Sequence, residues 1–166
     1  MNESPVIQLD AMTENEFEAF MALSMRDHIE GQLKAGFWKT DEAERNMAAL
    51  RSQLLPQDLR TPGHFFFSIK DQKTGRQVGW LWYMALAQEE EKQYFVIDIQ
   101  IQAAYRRQGY GSQAFLAMEN KARESGVGKI VLQVFDHNTT ARAMYDKLGY
   151  VARGDRMEKS LTGESE

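Results

Sequence analysis

Cysteine is absent from the 166 residues, which removes disulfides, thiolate zinc ligands and a cysteine nucleophile together and gives no reason to expect an oxidising compartment. Histidine is nearly as scarce. The three present, His28, His64 and His137, share no paired spacing, so no metal site is expected. The first 20 residues hold no continuous apolar run and carry Glu3, Asp10, Glu14, Glu16 and Glu18. Neither a signal peptide nor a membrane span is expected there, and a cytoplasmic protein without a membrane partner follows as the expectation. Basic charge is also short: 20 Lys and Arg stand against 24 Asp and Glu, for a net charge of -4. That balance argues against a nucleic-acid partner.

What is present suffices for a packed interior. A hydrophobic fraction of 43% with 11% aromatics is inconsistent with disorder and fits a single domain over residues 1–166. Val6 to Leu9 reads as a first strand. Thr13-Glu14-Asn15-Glu16 has the form of a capping box, and Phe17, Phe20, Met21, Ser24, Met25 and His28 then share one helical face until Gly36 ends the helix. Thr40 or Asp41 is placed to cap a second helix carrying Ala43, Met47, Leu50 and Leu54, which Pro56 stops. Strands are expected at Phe65 to Ile69 and Gln77 to Leu86, joined as a hairpin, and at Tyr94 to Ile101, with Glu89-Glu90-Glu91 as a solvated turn before the last of these. A helix from about Gly111 to Ser125, a strand from Lys129 to Phe135, a helix from Asn138 to Leu148 capped at Gly149, and a strand from Tyr150 complete the order, with a frayed tail from Gly163. The fold class is α/β with a mixed sheet, its front half antiparallel. Trp80 and Trp82 fall on one face of their strand, as core packing would have them.

Two stretches carry chemistry. Gln102 to Ser112 joins a buried strand to a helix through Gly109 and Gly111, and it holds the pair Arg106-Arg107. Glycines let backbone N–H groups converge on an anion, and the helix dipole adds roughly half a positive charge at that end, so a diphosphate fits. No Gly-Lys-Ser/Thr follows, and no third glycine stands in Rossmann register, so neither of those phosphate loops applies. A plain glycine-rich turn with a solvated arginine pair is the competing reading. The second stretch is Val134 to Tyr150, in which Asn138 and Tyr145 lie seven residues apart, about two helical turns, on one face.

Arg106-Arg107-Gln108-Gly109-Tyr110-Gly111 resembles the Gln/Arg-x-x-Gly-x-Gly/Ala signature of the GNAT superfamily of acetyl-CoA-dependent N-acetyltransferases, and Asn138 to Tyr150 resembles that family's Asn-x-x-Ala-x-x-x-Tyr-x-x-x-Gly-Phe segment. The likeness covers about residues 60–160, with front helices at about 13–55 bordering the acceptor site. A narrower likeness, to poorly characterised bacterial members, rests on Lys34-Ala35-Gly36-Phe37-Trp38 and a Leu-Pro…Thr-Pro loop. The resemblance implies a sheet of about seven strands with about four helices, and acetyl-CoA as acyl donor with no metal. It implies that the turn made by Arg106, Arg107, Gln108, Gly109, Tyr110, Gly111 and Ser112 holds the pyrophosphate. It further implies that Ile99 and Ile101 pair with the pantetheine arm through their backbone, that Asn138 bonds the same arm or a water, and that Tyr145 protonates the departing thiolate. An aromatic core anchor is the competing role for Tyr145.

The general base is where the chain departs from its relatives, which often carry glutamates at positions taken here by Phe95 and Gln133. Asp98 is the replacement this reading favours, because a carboxylate inside an apolar strand is costly unless paired, hydrated or functional. Glu30, His64, His137 and a water chain are its rivals. The resemblance sets Glu30, Trp38 and the loop ending at His64 on the acceptor side. It leaves open a polyamine, an aminoglycoside, a lysine, a peptide or an aromatic amine, with a homodimer as the family's common assembly. A non-catalytic acyl-CoA sensor with the same fold is the rival function.

Overall fold

Seven strands form one mixed sheet in the order β1-β2-β3-β4-β5-β7-β6 in the computed structural model, which describes residues 4–86, 91–134 and 138–162. The strands are β1 (Ile7–Ala11), β2 (His64–Asp71), β3 (Gln77–Leu86), β4 (Gln93–Ile101), β5 (Lys129–Gln133), β6 (Val151–Arg153) and β7 (Arg156–Ser160), and the helices are α1 (Glu14–Ala35), α2 (Ala43–Leu54), α3 (Tyr110–Glu124) and α4 (Thr139–Lys147). His137, Glu89, Glu90 and the expected tail from Gly163 lie outside the described residues. The chain divides into two compact units, residues 12–64 and residues 1–11 with 65–166.

Residues 12–64 hold α1 and α2. The expected capping box forms: the Glu16 N–H donates to Thr13 Oγ1 at 3.1 Å, and the Thr13 N–H donates to Glu16 Oε1 at 2.9 Å. Gly36 adopts φ 79°, which a side chain would resist, and its N–H closes on the carbonyls of Gln32 and Leu33. Neither Thr40 nor Asp41 caps α2. Glu42 occupies that position without a side-chain cap, because its carboxylate instead accepts the Lys39 N–H at 3.0 Å. Arg51 of α2 ties the two helices, reaching Glu18 at 3.4 Å and Asp58 at 2.9 Å while its guanidinium lies 5.6 Å from the Phe17 ring centroid.

In the second unit β1 pairs antiparallel with β2, and the connection 72–76 returns β2 into β3 through Asp71 N–H to Arg76 carbonyl at 2.9 Å. β3 pairs antiparallel with β4, β4 parallel with β5, β5 antiparallel with β7, and β7 with β6. The strand expected from Tyr150 is therefore two. Its sequence hides the break because Val151 to Arg156 are all exposed and show no apolar alternation. The sheet buries aromatic stacks on both faces: Phe65 against Tyr83 and Phe66 against Trp82, each with centroids 5.1 Å apart. α3 buries Ala114, Phe115, Met118 and Ala122, a single helical stripe, into the cluster that also takes Leu81, Tyr83, Ile130 and Leu132. Burying one such side chain as large as Phe115 is worth about 2–3 kcal/mol.

Candidate active site

The site begins where two parallel strands part. β4 and β5 pair from Gln93 with Lys129 to Val96 with Leu132, after which β5 ends at Gln133 while β4 runs on to Ile101. The register of β4 on β3 slips at the same place. Val96 faces Tyr83 and Asp98 faces Trp82, so Ile97 is an extra residue, a β-bulge. The bulge changes the parity of the strand: Tyr94 and Val96 before it and Ile99 and Ile101 after it all pack on the core cluster. Asp98 and Gln100 thereby fall on the opposite face, across from Trp82 and Trp80.

Backbone direction follows from two contacts. The Gln102 N–H donates to the Val78 carbonyl, and the Gln100 carbonyl points at Gly79, where a Cβ would stand 2.1 Å from it. Even-numbered residues thus turn their backbone polar groups to β3, and by alternation Ile99 and Ile101 turn theirs to the side where β5 no longer reaches. Arg106 Nε donates to the Ile101 carbonyl at 2.8 Å, which ties down the end of the strand.

From there the chain enters the glycine turn. Arg107 at φ 64° and Gly109 at φ 92° are both left-handed, backbone conformations of the kind from which anion-binding nests are built. Gly109 is the N-cap of α3 and supplies no side-chain cap, so the first-turn amides of Tyr110, Gly111 and Ser112 point outward without a capping oxygen. Among the described residues no turn or cap bond uses the N–H groups of Arg107, Gln108 or Gly109. Gly111 seats the helix against α4 and β4, for a Cβ there would lie 3.2 Å from Met144 Sδ and 3.9 Å from Ile101 Cγ1. The Tyr110 side chain has a different task from the backbone beside it. It is buried, and its hydroxyl donates a short hydrogen bond to Asp71 in the β2–β3 turn. That bond raises the phenol to about 12 and, with the Thr74 N–H, lowers the Asp71 carboxyl. Gln108 folds back onto the Ala104 carbonyl, and Arg106 and Arg107 are exposed.

α4 supplies the remaining groups. Asn138 is its N-cap, with Oδ1 accepting from the Ala141 N–H at 3.3 Å, which leaves its amide nitrogen for another partner. Tyr145 is 7% exposed, its ring packed on Phe115 and Tyr150. Its hydroxyl is neither hydrogen-bonded to a described residue nor sealed from solvent. Burial first, and the Asp98 charge second, push this phenol up to about 12, so it carries its proton at neutral pH and lies within electrostatic reach of Asp98. Phe95 and Gln133 are occupied elsewhere, under Arg156 at 5.4 Å and on Asp155 at 3.1 Å.

The expected acceptor residues all belong to residues 12–64. Glu30 is exposed on α1, and Trp38 follows the Gly36 cap and meets His28 edge-on at 5.5 Å. His64 opens β2 half-buried, with an imidazole pKa lowered by burial and therefore neutral at pH 7. Sequence reading missed the Ile97 bulge and Gln100, whose Nε2 donates to Asp98 Oδ2 at 3.3 Å. The continuous apolar run Tyr94-Phe95-Val96-Ile97, giving way to alternation from Asp98 to Ile101, was the available signal.

A strand that sheds its parallel neighbour and runs into a glycine-capped helix is an arrangement with known company. The acetyltransferase (GNAT) family model matches residues 17–150. Over 155 residues the chain is 34% identical to the uncharacterised N-acetyltransferase YycN of Bacillus subtilis strain 168, covering 93% of this chain and 99% of that one. The uncharacterised N-acetyltransferase YdgE of the same organism is 32% identical over 153 residues, 92% and 97% of the two chains. The crystal structure of YycN superposes with a TM-score of 0.80 at 33% identity over 89% of this chain and 94% of that one. Spermidine N-acetyltransferase from Vibrio cholerae, solved with CoA and spermine, shares the fold at 14% identity, with a TM-score of 0.69 over 94% of this chain and 96% of that one. The mixed seven-stranded sheet and four α-helices among the described residues of this chain agree with these likenesses, and the chain belongs to the GNAT family of acetyltransferases.

Proposed function

We propose that this N-acetyltransferase moves the acetyl group of acetyl-CoA directly to a primary amine of a small molecule or peptide. The observation that carries the reading is the parting of β4 from β5 after Val96 and Leu132, which leaves Ile99 and Ile101 without a β5 partner, together with a protonated Tyr145 within electrostatic reach of Asp98. Acetyl-CoA, when bound, supplies an activated thioester. The residues fit it: the nest from Arg107 to Ser112 would take the pyrophosphate, and Ile99, Ile101 and Asn138 would align the pantetheine arm. The Ile99 N–H is the donor for negative charge that develops on the carbonyl oxygen. Asp98 accepts the proton that the amine must lose before it can attack, and Tyr145, protonated at neutral pH, gives its proton to the leaving sulfur. No covalent enzyme intermediate is required, in keeping with a chain that has no cysteine. Glu30, Trp38 and His64 are the proposed contacts of the acceptor.

A thiol-release assay with acetyl-CoA over a panel of amines tests this, the panel holding spermidine, spermine, an aminoglycoside, a lysine peptide and an arylamine. Turnover with at least one amine is expected, with Tyr145→Phe lowering kcat about a hundredfold. CoA binding by calorimetry without thiol release from any amine, or a Tyr145→Phe enzyme as fast as the parent, would overturn the scheme.

A further inference from the structure

We propose that Asp71, the last residue of β2, is a positioning residue for the acyl donor: through the Tyr110 hydroxyl it holds the Arg107–Ser112 turn in the shape that takes the pyrophosphate. The inference rests on the reading of that turn as the pyrophosphate site. Tyr110 opens α3, so its N–H is among those proposed for the diphosphate, while its side chain is buried in the core cluster and ends on Asp71 Oδ2. A phenylalanine would fill the same place in the core. What the hydroxyl adds is the link to β2.

The anchor is firm. Asp71 pairs with Ile7 of β1, its N–H donates to the Arg76 carbonyl at 2.9 Å, and its carbonyl accepts the Gly75 N–H at 2.8 Å. The two carboxylate oxygens divide their work. Oδ1 accepts the N–H groups of Lys73 at 2.8 Å and Thr74 at 3.1 Å, and Oδ2 takes the phenol. These donors keep Asp71 ionised at neutral pH, so the bond from Tyr110 is charge-assisted. The length of the phenol separates that charge from the amides it steadies.

The turn is the part that needs holding. Arg107 sits at φ 64°, a left-handed conformation that is costly for a residue with a Cβ, and α3 starts without a side-chain cap. Its entry is fastened by Arg106 on the Ile101 carbonyl at 2.8 Å and by Gln108 on the Ala104 carbonyl at 3.3 Å. Its exit is fastened by Tyr110. Pro5, ahead of β1, lies against the same turn, with its Cδ 3.3 Å from where a Cβ on Gly109 would stand. A diphosphate meeting a turn already in shape binds without the entropy cost of ordering it.

The test compares, on the full-length protein, calorimetric binding of CoA with that of pantetheine, the same arm without the nucleotide diphosphate. Asp71→Asn keeps an oxygen for the Lys73 and Thr74 amides and sets an uncharged group before the phenol; Tyr110→Phe removes the hydroxyl alone. Each should weaken CoA by about tenfold and leave pantetheine unchanged, and the double variant should be no weaker than either single one, because the two residues act as a unit. In Asp71→Asn, with whichever amine the panel yields, KM for acetyl-CoA should rise by the same factor with kcat retained. CoA affinity equal to the parent's in both single variants, equal losses for CoA and pantetheine, or losses that add in the double variant would each overturn the positioning role. A parent that binds pantetheine as tightly as CoA would overturn the pyrophosphate site itself, and this inference with it.

Discussion

Glu119 on α3 is a carboxylate with no solvent exposure, bonded by Lys159 Nζ at 2.8 Å and by the Tyr150 hydroxyl at 3.0 Å. Lys159→Met keeps the aliphatic stem that lies 3.6 Å from where a Cβ on Gly149 would stand, and it removes only the charge. The carboxylate then retains a neutral phenol and nothing else among these two partners, and breaking a buried pair in this way costs about 3–5 kcal/mol. Adding Glu119→Leu removes the orphaned charge and replaces it with an apolar group, which is neutral to favourable in such sites. It strands the Tyr150 hydroxyl, however, at a cost of about 1–3 kcal/mol. Adding Tyr150→Phe removes that last unpaired group, so the triple variant should return to within about 1.5 kcal/mol of the parent. Stability should therefore fall sharply with the first substitution and recover with the second and third. Urea unfolding followed by far-UV circular dichroism, analysed by linear extrapolation, measures each step. A single variant within about 1 kcal/mol of the parent, or a series in which each added substitution subtracts more, would refute the view that the network is a charge trapped by its partners.

Two other outcomes are expected. Gly109→Asp sets a side chain at φ 92° and a negative charge at the proposed pyrophosphate site, so calorimetric affinity for CoA should drop by more than tenfold, and by more than in Gly109→Ala, which shares the strain without the charge; equal affinities for the two variants would remove the charge argument. Asp71→Asn should bring the Tyr110 phenol from about 12 down toward the ordinary value near 10, read as phenolate absorbance. A folded pKa raised above the unfolded one stabilises fully below pH 10 and loses that contribution as pH rises through 12, so the variant should lack this alkaline loss of stability.

Local features were legible in the sequence and distant ones were not. The Thr13 capping box, the Gly36 cap and the β2–β3 hairpin are decided within a few residues, so residue type alone identifies them. Asn138 as the start of α4 and Gly109–Gly111 as the turn into α3 could be read for the same reason. Thr40 and Asp41 misled because α2 begins only at Ala43, which puts Glu42 in the cap position. The bulge at Ile97 depends on how β4 sits on β3, a property of two strands. Tyr110 with Asp71, 39 residues apart, and Glu119 with Lys159, 40 apart, meet only in the folded chain. Read alone, Glu119 is one more acidic residue on a helix.

Ile99 and Ile101 point their side chains at the core and their amides at the gap left by β5. Stability and, on the proposed reading, cofactor recognition would thus draw on perpendicular directions of the same two residues. A trimmed side chain such as Ile99→Val would loosen the interior yet leave the edge that a pantetheine would read intact, whereas N-methylating either amide would do the reverse. Selection for a firmer core could therefore act on these positions without disturbing the docking edge proposed for the acyl donor.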